Sequence, residues 1–291
     1  MSPAEVLAFE ARWRTRAAIG SAVGALLVLG GGIGLVTTLS SSKTDELTSQ
    51  LLFYDHHSSS LLLATIVAGL GSVCMIAPLV YLFRATKARR PQLPNVALIA
   101  AWFGPIAAGL GQIALQVVLL SKAHTFVTSG AQTYTEAKHL TDAGILKGMQ
   151  GLVLAGQLSL GFAFVLISLN AMRVGLLTRF MGVLGIIVGV LFVIPLGTLQ
   201  VVQPFWLLTL TALFLGRWPN GVPPAWKTGK AEPWPTQQEM REEREKTKAA
   251  RAKATGNGDA EPEPEPEPAA AVASSGARHS SSKKRKRKRR R

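Results

Sequence analysis

The chain has 291 residues, of which 48% are hydrophobic and only 17% are charged. An ordinary soluble domain carries about 25% charged residues, so the composition excludes a soluble globular domain. The single cysteine, Cys74, excludes a disulfide-stapled domain. The formal charge is +15, and the last nine residues are all Lys or Arg. This pattern predicts a membrane domain followed by a basic tail.

Five segments of the chain contain no Asp, Glu, Lys or Arg and are long enough to cross a membrane. A helix needs about 20 apolar residues to cross a hydrocarbon core of ~30 Å. The last segment, 181–216, is too long for one helix and contains Pro195 and Pro204, so we divide it in two. The sequence thus predicts an all-α, six-span transmembrane bundle. Its spans are at about residues 17–39, 61–83, 96–120, 148–171, 181–196 and 201–216.

Lys and Arg are unevenly distributed among the segments that connect these spans. Twelve lie in the N-terminal arm, the second and fourth connections and the segment after the last span, whereas four lie in the other connections. Cytoplasmic connections are enriched in Lys and Arg, so the distribution predicts that both termini are cytoplasmic. An even number of spans also requires that the two termini lie on the same side of the membrane.

Pairs of glycines four residues apart recur within the spans. Such pairs let helix backbones approach closely, so we expect bundle packing, with oligomer formation as the alternative. Prolines inside spans predict kinks, because each removes a backbone donor. The glycine pairs are Gly20 with Gly24, Gly30 with Gly34, and Gly185 with Gly189, and the prolines are Pro78, Pro105 and Pro195.

The six spans contain no charged residue, which disfavours an ion-coupled pump. The strongest set of buried polar side chains is Gln112 and Gln116, one turn apart on the third span, with Gln157 on the fourth. Amides on facing helices can hydrogen-bond across their interface, so we interpret the set as structural. The alternative is the polar site of a small-solute transporter or channel.

The connections predicted to lie outside the cell hold most of the histidines. Glu136 and His139 are three residues apart, a step that carboxylate-bridged metal sites use together with a second copy and further Glu residues. Those are missing, so we expect solvated loops. The alternatives are pH sensing and a membrane enzyme with an extracytoplasmic metal site. Its candidate ligands are His56, His57, Glu136 and His139.

Motifs of catalytic and cofactor sites do not occur in the sequence. It contains no nucleophile elbow, phosphate-binding loop, dinucleotide fingerprint or zincin helix. We therefore identify no catalytic residue and no cofactor, and we do not expect an enzyme.

The region after the last span changes in composition. In residues 217–236, Trp218, Trp226 and Trp234 recur among prolines, and indole rings favour the headgroup zone, so we predict a strap along the inner membrane surface. Residues 237–291 are predicted to form a charged, disordered tail, in which the Glu-Pro repeat Glu261–Pro268 is a stiff spacer. Its polybasic end consists of Lys283, Lys284, Arg285, Lys286, Arg287, Lys288, Arg289, Arg290 and Arg291.

This polybasic end has two candidate partners. Anionic lipid attracts each basic residue near its surface by about 1 kcal/mol, and nucleic acid binds a polycation through counterion release. Residues 283–291 contain no aromatic side chain that could stack on a base, so nucleic-acid binding would be nonspecific. The leading hypothesis is a non-enzymatic anchor whose tail binds anionic lipid or another polyanion.

The segments 169–185, 217–226 and 231–235 resemble stretches of an uncharacterised family of actinobacterial six-span integral membrane proteins, a domain of unknown function. The resemblance covers about residues 150–235, and the Glu-Pro repeat and basic terminus are not part of it. It implies a multi-pass protein of the bacterial plasma membrane. It supplies no catalytic or binding residues.

Overall fold

The computed structural model describes residues 2–41, 46–194, 201–218, 221–233, 241–242 and 245–250. Every regular element among them is a helix. The helices are α1 (Pro3–Leu39), α2 (Leu47–His56), α3 (Ser58–Cys74), α4 (Ile76–Arg89), α5 (Val96–Thr128), α6 (Tyr134–Thr141), α7 (Gly144–Arg173), α8 (Arg179–Val193), α9 (Val202–Phe214) and α10 (Ala225–Thr228). They belong to one unit, Met1–Pro235, and residues Thr236–Arg291 form a second. The Glu-Pro repeat and the polybasic end lie outside the described residues.

Four helices are long and apolar enough to cross a membrane: α1, α3 together with α4, α5 and α7. They correspond to the first four predicted spans, which confirms a helical protein with membrane-length helices. At the fifth and sixth spans, α8 and α9 are apolar but have 15 and 13 residues. Such helices are about 22 and 20 Å long, which is less than a ~30 Å hydrocarbon core. That α8 and α9 cross the membrane stays a prediction.

The first helix begins 14 residues before the predicted first span, at Pro3. The Ser2 hydroxyl accepts a hydrogen bond from the Glu5 N–H at 3.3 Å, and the Glu5 carboxylate accepts one from the Ser2 N–H at 2.7 Å. This capping box, with proline in the first helical position, fixes the start of α1. The charged N-terminal arm is therefore part of the helix.

Seven of the described helices form the bundle, in which α3 and α4 together make one membrane-length segment. The pair α3/α4 lies against α1 and α5, α5 lies against α7, α7 against α8, α8 against α9, and α9 against α1. Glycines allow close approach: a Cβ at Gly69 would lie 2.7 Å from the Gly109 carbonyl oxygen, and one at Gly189 would lie 2.7 Å from that of Gly161. The six glycines of the predicted pairs differ at one position. A Cβ built on Gly30 would have no heavy atom of another helix within 4 Å in the described structure, whereas a Cβ on each of the other five would.

The predicted kinks differ among the three prolines. The helix pair α3/α4 is interrupted at Met75, three residues before Pro78, whose missing N–H leaves a carbonyl of the preceding turn without its partner. By contrast, α5 passes through Pro105 without interruption. Pro195 lies outside the described residues.

The outward faces of the membrane-length helices are apolar. Leu26, Leu63 and Ile99 are 63%, 65% and 65% exposed, although each lies within a candidate span. A helix that is apolar on all sides is typical of a membrane span, because lipid replaces protein as its surroundings.

The connections that we expected to be solvated loops are largely helical. They contain α2 and α6, and α5 extends eight residues beyond the predicted third span. Leu51, Ala123, Phe126 and Ala137 form a small buried cluster there. Burial of this cluster explains why these connections are helical, because α2, the end of α5 and α6 each bury part of one face in it.

Candidate binding site at the basic end of the bundle

One end of the bundle is formed by the start of α1, the ends of α4, α7 and α9, the start of α8, and residues 221–233 with α10; we call it the basic end. Only three acidic residues, Glu5, Glu10 and Glu232, lie there among the described residues. The basic residues number twelve: Arg12, Arg14, Arg16, Arg84, Lys87, Arg89, Arg90, Arg173, Arg179, Arg217, Lys227 and Lys230.

A buried ion pair joins three elements of the basic end. Both Nη atoms of Arg89 donate to the carboxylate of Glu10, and the two side chains are 0% and 4% exposed. Arg89 also donates to the carbonyl oxygens of Ala85 at 3.0 Å and Ala225 at 2.5 Å. The guanidinium therefore connects α1, α4 and α10. Within the described residues it belongs to the only ion pair that is buried on both sides.

An aromatic cluster packs beside this ion pair. The ring of Trp226 stacks on Tyr81, with centroids 5.7 Å apart and planes at 11°, and Phe214 meets Tyr81 edge-on at 5.0 Å. Trp226 Nε1 donates to the Leu176 carbonyl at 2.9 Å, and the Tyr81 hydroxyl donates to the Glu10 carbonyl at 3.3 Å. Trp226 thus packs on protein groups of the bundle.

The predicted strap 217–236 is described only in part. Trp218 packs against the same core as Trp226, whereas Trp234 lies outside the described residues. The Glu232 N–H also donates to the Val174 carbonyl at 3.2 Å, which fastens the strap to the end of α7. That the strap lies along a membrane surface stays a prediction.

The Arg14 side chain reaches from α1 to the end of α9. Its Nε donates to the Phe214 carbonyl, one of the carbonyls that a helix C-terminus leaves without a helical partner. Its guanidinium lies over Gly216, which has a φ of 73°. A Cβ at Gly216 would lie 2.6 Å from Arg14 Nη2, so glycine suits both the left-handed turn and the close guanidinium. Arg14 has no acidic partner among the described residues.

These groups surround a cavity of about 300 Å³, which we call the end cavity. The Glu10 carboxylate in its wall is neutralised by Arg89, so Arg14 and Lys227 leave the cavity with a net positive charge. The remaining walls are mostly apolar. The lining residues are Leu7, Glu10, Ala11, Arg14, Tyr81, Leu213, Phe214, Val222, Trp226 and Lys227.

The three glutamines of the predicted intramembrane site do not hydrogen-bond to one another in the structure. Gly156 contacts α5 at Ala107 and Ala108, which places the neighbouring Gln157 about nine positions, or roughly 13 Å, from Gln116 along α5. Gln116 is buried, whereas Gln112 and Gln157 are half-buried. A polar site that uses these residues stays a prediction.

Two of the four candidate metal ligands, His57 and Glu136, have polar partners elsewhere in the structure. His57 Nδ1 lies 3.1 Å from the Phe53 carbonyl oxygen, and the centroid of its ring lies 4.9 Å from that of His56. The Glu136 carboxylate accepts from the Gln132 N–H at 3.0 Å, which closes the turn before α6. Among the described residues no group of three His, Cys, Asp or Glu side chains is placed to hold a metal ion.

Sequence reasoning missed the pair formed by Glu10 and Arg89: it counted Arg89 only among the basic residues of the second connection and gave Glu10 no role. One signal was available for Glu10: it is one of only two acids, with Glu5, in an arm that also holds Arg12, Arg14 and Arg16. That pattern does not reveal its partner, which lies 79 positions away. The predicted polyanion-binding residues 283–291 lie outside the described residues.

Comparison with protein-family models, with curated proteins and with solved structures finds no match for this chain. The resemblance to the actinobacterial six-span family therefore stays a prediction.

Proposed function

We propose that the chain is a six-span plasma-membrane protein with both termini in the cytoplasm. In this proposal it is a non-enzymatic anchor, and residues 283–291 bind anionic lipid or another polyanion. A bacterial inner membrane is the location that the sequence resemblance favours.

The observation that carries this proposal is the difference in charge between the two ends of the bundle. The basic end has twelve Lys and Arg against three acids. The opposite end is formed by α2, the end of α5, α6 and the start of α7, and its described residues have three Lys against four acids. The preference of Lys and Arg for the cytoplasmic side orients the basic end inward. The chain leaves the first unit after residues 221–233, which belong to that end. The tail would then begin at the leaflet surface that carries anionic lipid.

A liposome-capture experiment tests the tail. The full chain is reconstituted in phosphatidylcholine nanodiscs and mixed with liposomes of phosphatidylcholine, with or without phosphatidylglycerol. Replacing all nine residues of 283–291 with Gln should lower capture by the phosphatidylglycerol liposomes at least about 100-fold, because each basic residue contributes roughly 1 kcal/mol near the surface. Capture of the unmodified chain should also weaken as salt rises.

The matched control replaces the four lysines Lys283, Lys284, Lys286 and Lys288 with Arg, which keeps the charge and should keep capture. Equal capture of the unmodified and Gln-substituted chains would show that the tail does not bind lipid. Fluorescence anisotropy with a single-stranded RNA tests the other polyanion. Salt-sensitive RNA binding without liposome capture would identify nucleic acid as the partner and exclude lipid.

A further inference from the structure

We propose that the end cavity binds a phosphate group, carried by an anionic phospholipid headgroup or by a soluble phosphate ester. The site is formed by α1, α4, α9 and α10 and the residue Val222 before α10. None of its lining residues belongs to the tail, so the proposal does not rest on the function proposed for residues 283–291.

The charge of the cavity selects an anion. Among the described residues Glu10 is the only acid that lines it, and the Glu10 carboxylate accepts two N–H groups from Arg89. The two cations that remain, Arg14 and Lys227, have no acidic partner among the described residues. A guanidinium beside an ammonium is a common arrangement for phosphate, because the guanidinium presents paired donors and the ammonium adds a point charge.

The position of Arg14 is fixed before any ligand binds. Its Nε donates to the Phe214 carbonyl, and its Nη2 lies close to the backbone of Gly216. Because Nε is used in this way, the two Nη groups are the donors left for a ligand. A side chain that is already ordered loses less entropy on binding, which favours a specific site over a diffuse attraction.

The apolar part of the cavity favours an amphiphilic ligand. Leu7, Leu213, Phe214 and Val222 line it together with the charged groups. Its volume of about 300 Å³ fits a headgroup-sized molecule better than a bare inorganic ion. Because the basic end caps helices of membrane length, a phospholipid headgroup is a ligand that would be present at this depth.

A second basic pocket at the same end supplies the matched control. It has a volume of about 330 Å³ and contains Arg173 and Arg179. Both residues are exposed, and within the described residues no hydrogen bond fixes either guanidinium. Removing these two charges changes the net charge of the basic end without altering the end cavity.

Isothermal titration calorimetry tests the proposal on the full chain in an uncharged maltoside detergent. Residues 283–291 are replaced with Gln in every sample, so that the tail cannot bind the probe. The probes are dioctanoylphosphatidylglycerol, dioctanoylphosphatidylcholine and glycerol 3-phosphate. The variants are Lys227→Gln, Ala11→Phe, which fills the cavity without changing charge, Arg14→Gln, and the control Arg173→Gln with Arg179→Gln.

We expect Lys227→Gln and Ala11→Phe each to weaken binding about tenfold, and the control to change it less than about twofold. Arg14→Gln should abolish binding, but it also removes the bond to Phe214. Lys227→Gln and Ala11→Phe therefore decide the result, because both residues are exposed and neither change removes a contact of the bundle.

Several results would overturn the proposal: no binding of any probe, equal weakening by the control and by Lys227→Gln, or unchanged binding in Ala11→Phe. If the proposal holds, the probes separate the two sources of phosphate. Binding of phosphatidylglycerol without glycerol 3-phosphate identifies a lipid headgroup, and binding of both identifies a phosphate ester.

Discussion

The two ends of the bundle hold their charges in different ways. At the basic end, Arg89 and Glu10 are almost completely buried and join elements that are 79 residues apart in the sequence. At the opposite end, formed by α2, the end of α5, α6 and the start of α7, the His124 and Asp55 side chains are 69% and 26% exposed. Lys147 and Asp142, also at that end, are 63% and 54% exposed.

This difference shows where electrostatics contributes to the structure. A buried pair that loses one member leaves an uncompensated charge, so both members are required once the pair exists. An exposed pair is screened by water and contributes little. The opposite end therefore depends on its small apolar cluster, whereas the basic end depends on a polar network.

The largest expected effect concerns the orientation of the two ends relative to the membrane, because a cysteine is either accessible from outside the cell or not. In a Cys74→Ser background, Ser129→Cys should react with a membrane-impermeant maleimide in intact cells. Gln92→Cys, between α4 and α5 at the basic end, should react only after lysis, since the basic end is proposed to face the cytoplasm. The reverse labelling pattern would contradict the proposed topology.

Loss of the buried cation should be the most destabilising of the single changes at the basic end. Arg89→Ala should lower the free energy of unfolding by about 3–5 kcal/mol, because Glu10 is left buried without a partner. Titration with SDS in mixed micelles measures this. Arg90→Ala is the matched control and should stay within about 0.5 kcal/mol. The double change Glu10→Leu with Arg89→Met should be less destabilising than Arg89→Ala; a larger loss would contradict the account.

The aromatic cluster of the basic end gives a smaller effect. Trp226→Ala should cost about 2–3 kcal/mol in the same titration, because it removes the ring stacked on Tyr81 and the bond to Leu176. Trp226→Phe keeps an aromatic ring but loses the indole N–H and part of the ring area, so it should cost about 1–2 kcal/mol. If both variants matched the unmodified chain, Trp226 would not fasten the strap to the bundle.

The exposed pair of the opposite end should give the smallest effect. His124→Ala should change the free energy of unfolding by less than about 1 kcal/mol, because the pair is solvated. Phe126→Ala, at the same end and fully buried, should cost about 3–5 kcal/mol and shows that the assay detects a loss there. A larger loss for His124→Ala than for Phe126→Ala would reverse the comparison.

The sequence by itself determined the helical class and the location of four membrane-length helices. It did so because lipid requires each span to satisfy its own backbone and to present apolar side chains, and both requirements are local. The segments 96–120 and 148–171 lie wholly within α5 and α7 for this reason. The uneven distribution of Lys and Arg is also a property of the sequence alone.

Tertiary structure decided which of the charged residues are partners. In the sequence Glu10 lies in the N-terminal arm and Arg89 in the connection after the second span, and only the packing of α4 against α1 brings them together. Trp226 packs on Tyr81 for the same reason, and Gln157 lies away from Gln116 because of the level at which α7 meets α5. Such contacts depend on which helix ends become neighbours in the bundle. The hydropathy of the sequence does not reveal this, because it is the same for every spatial arrangement of the helices.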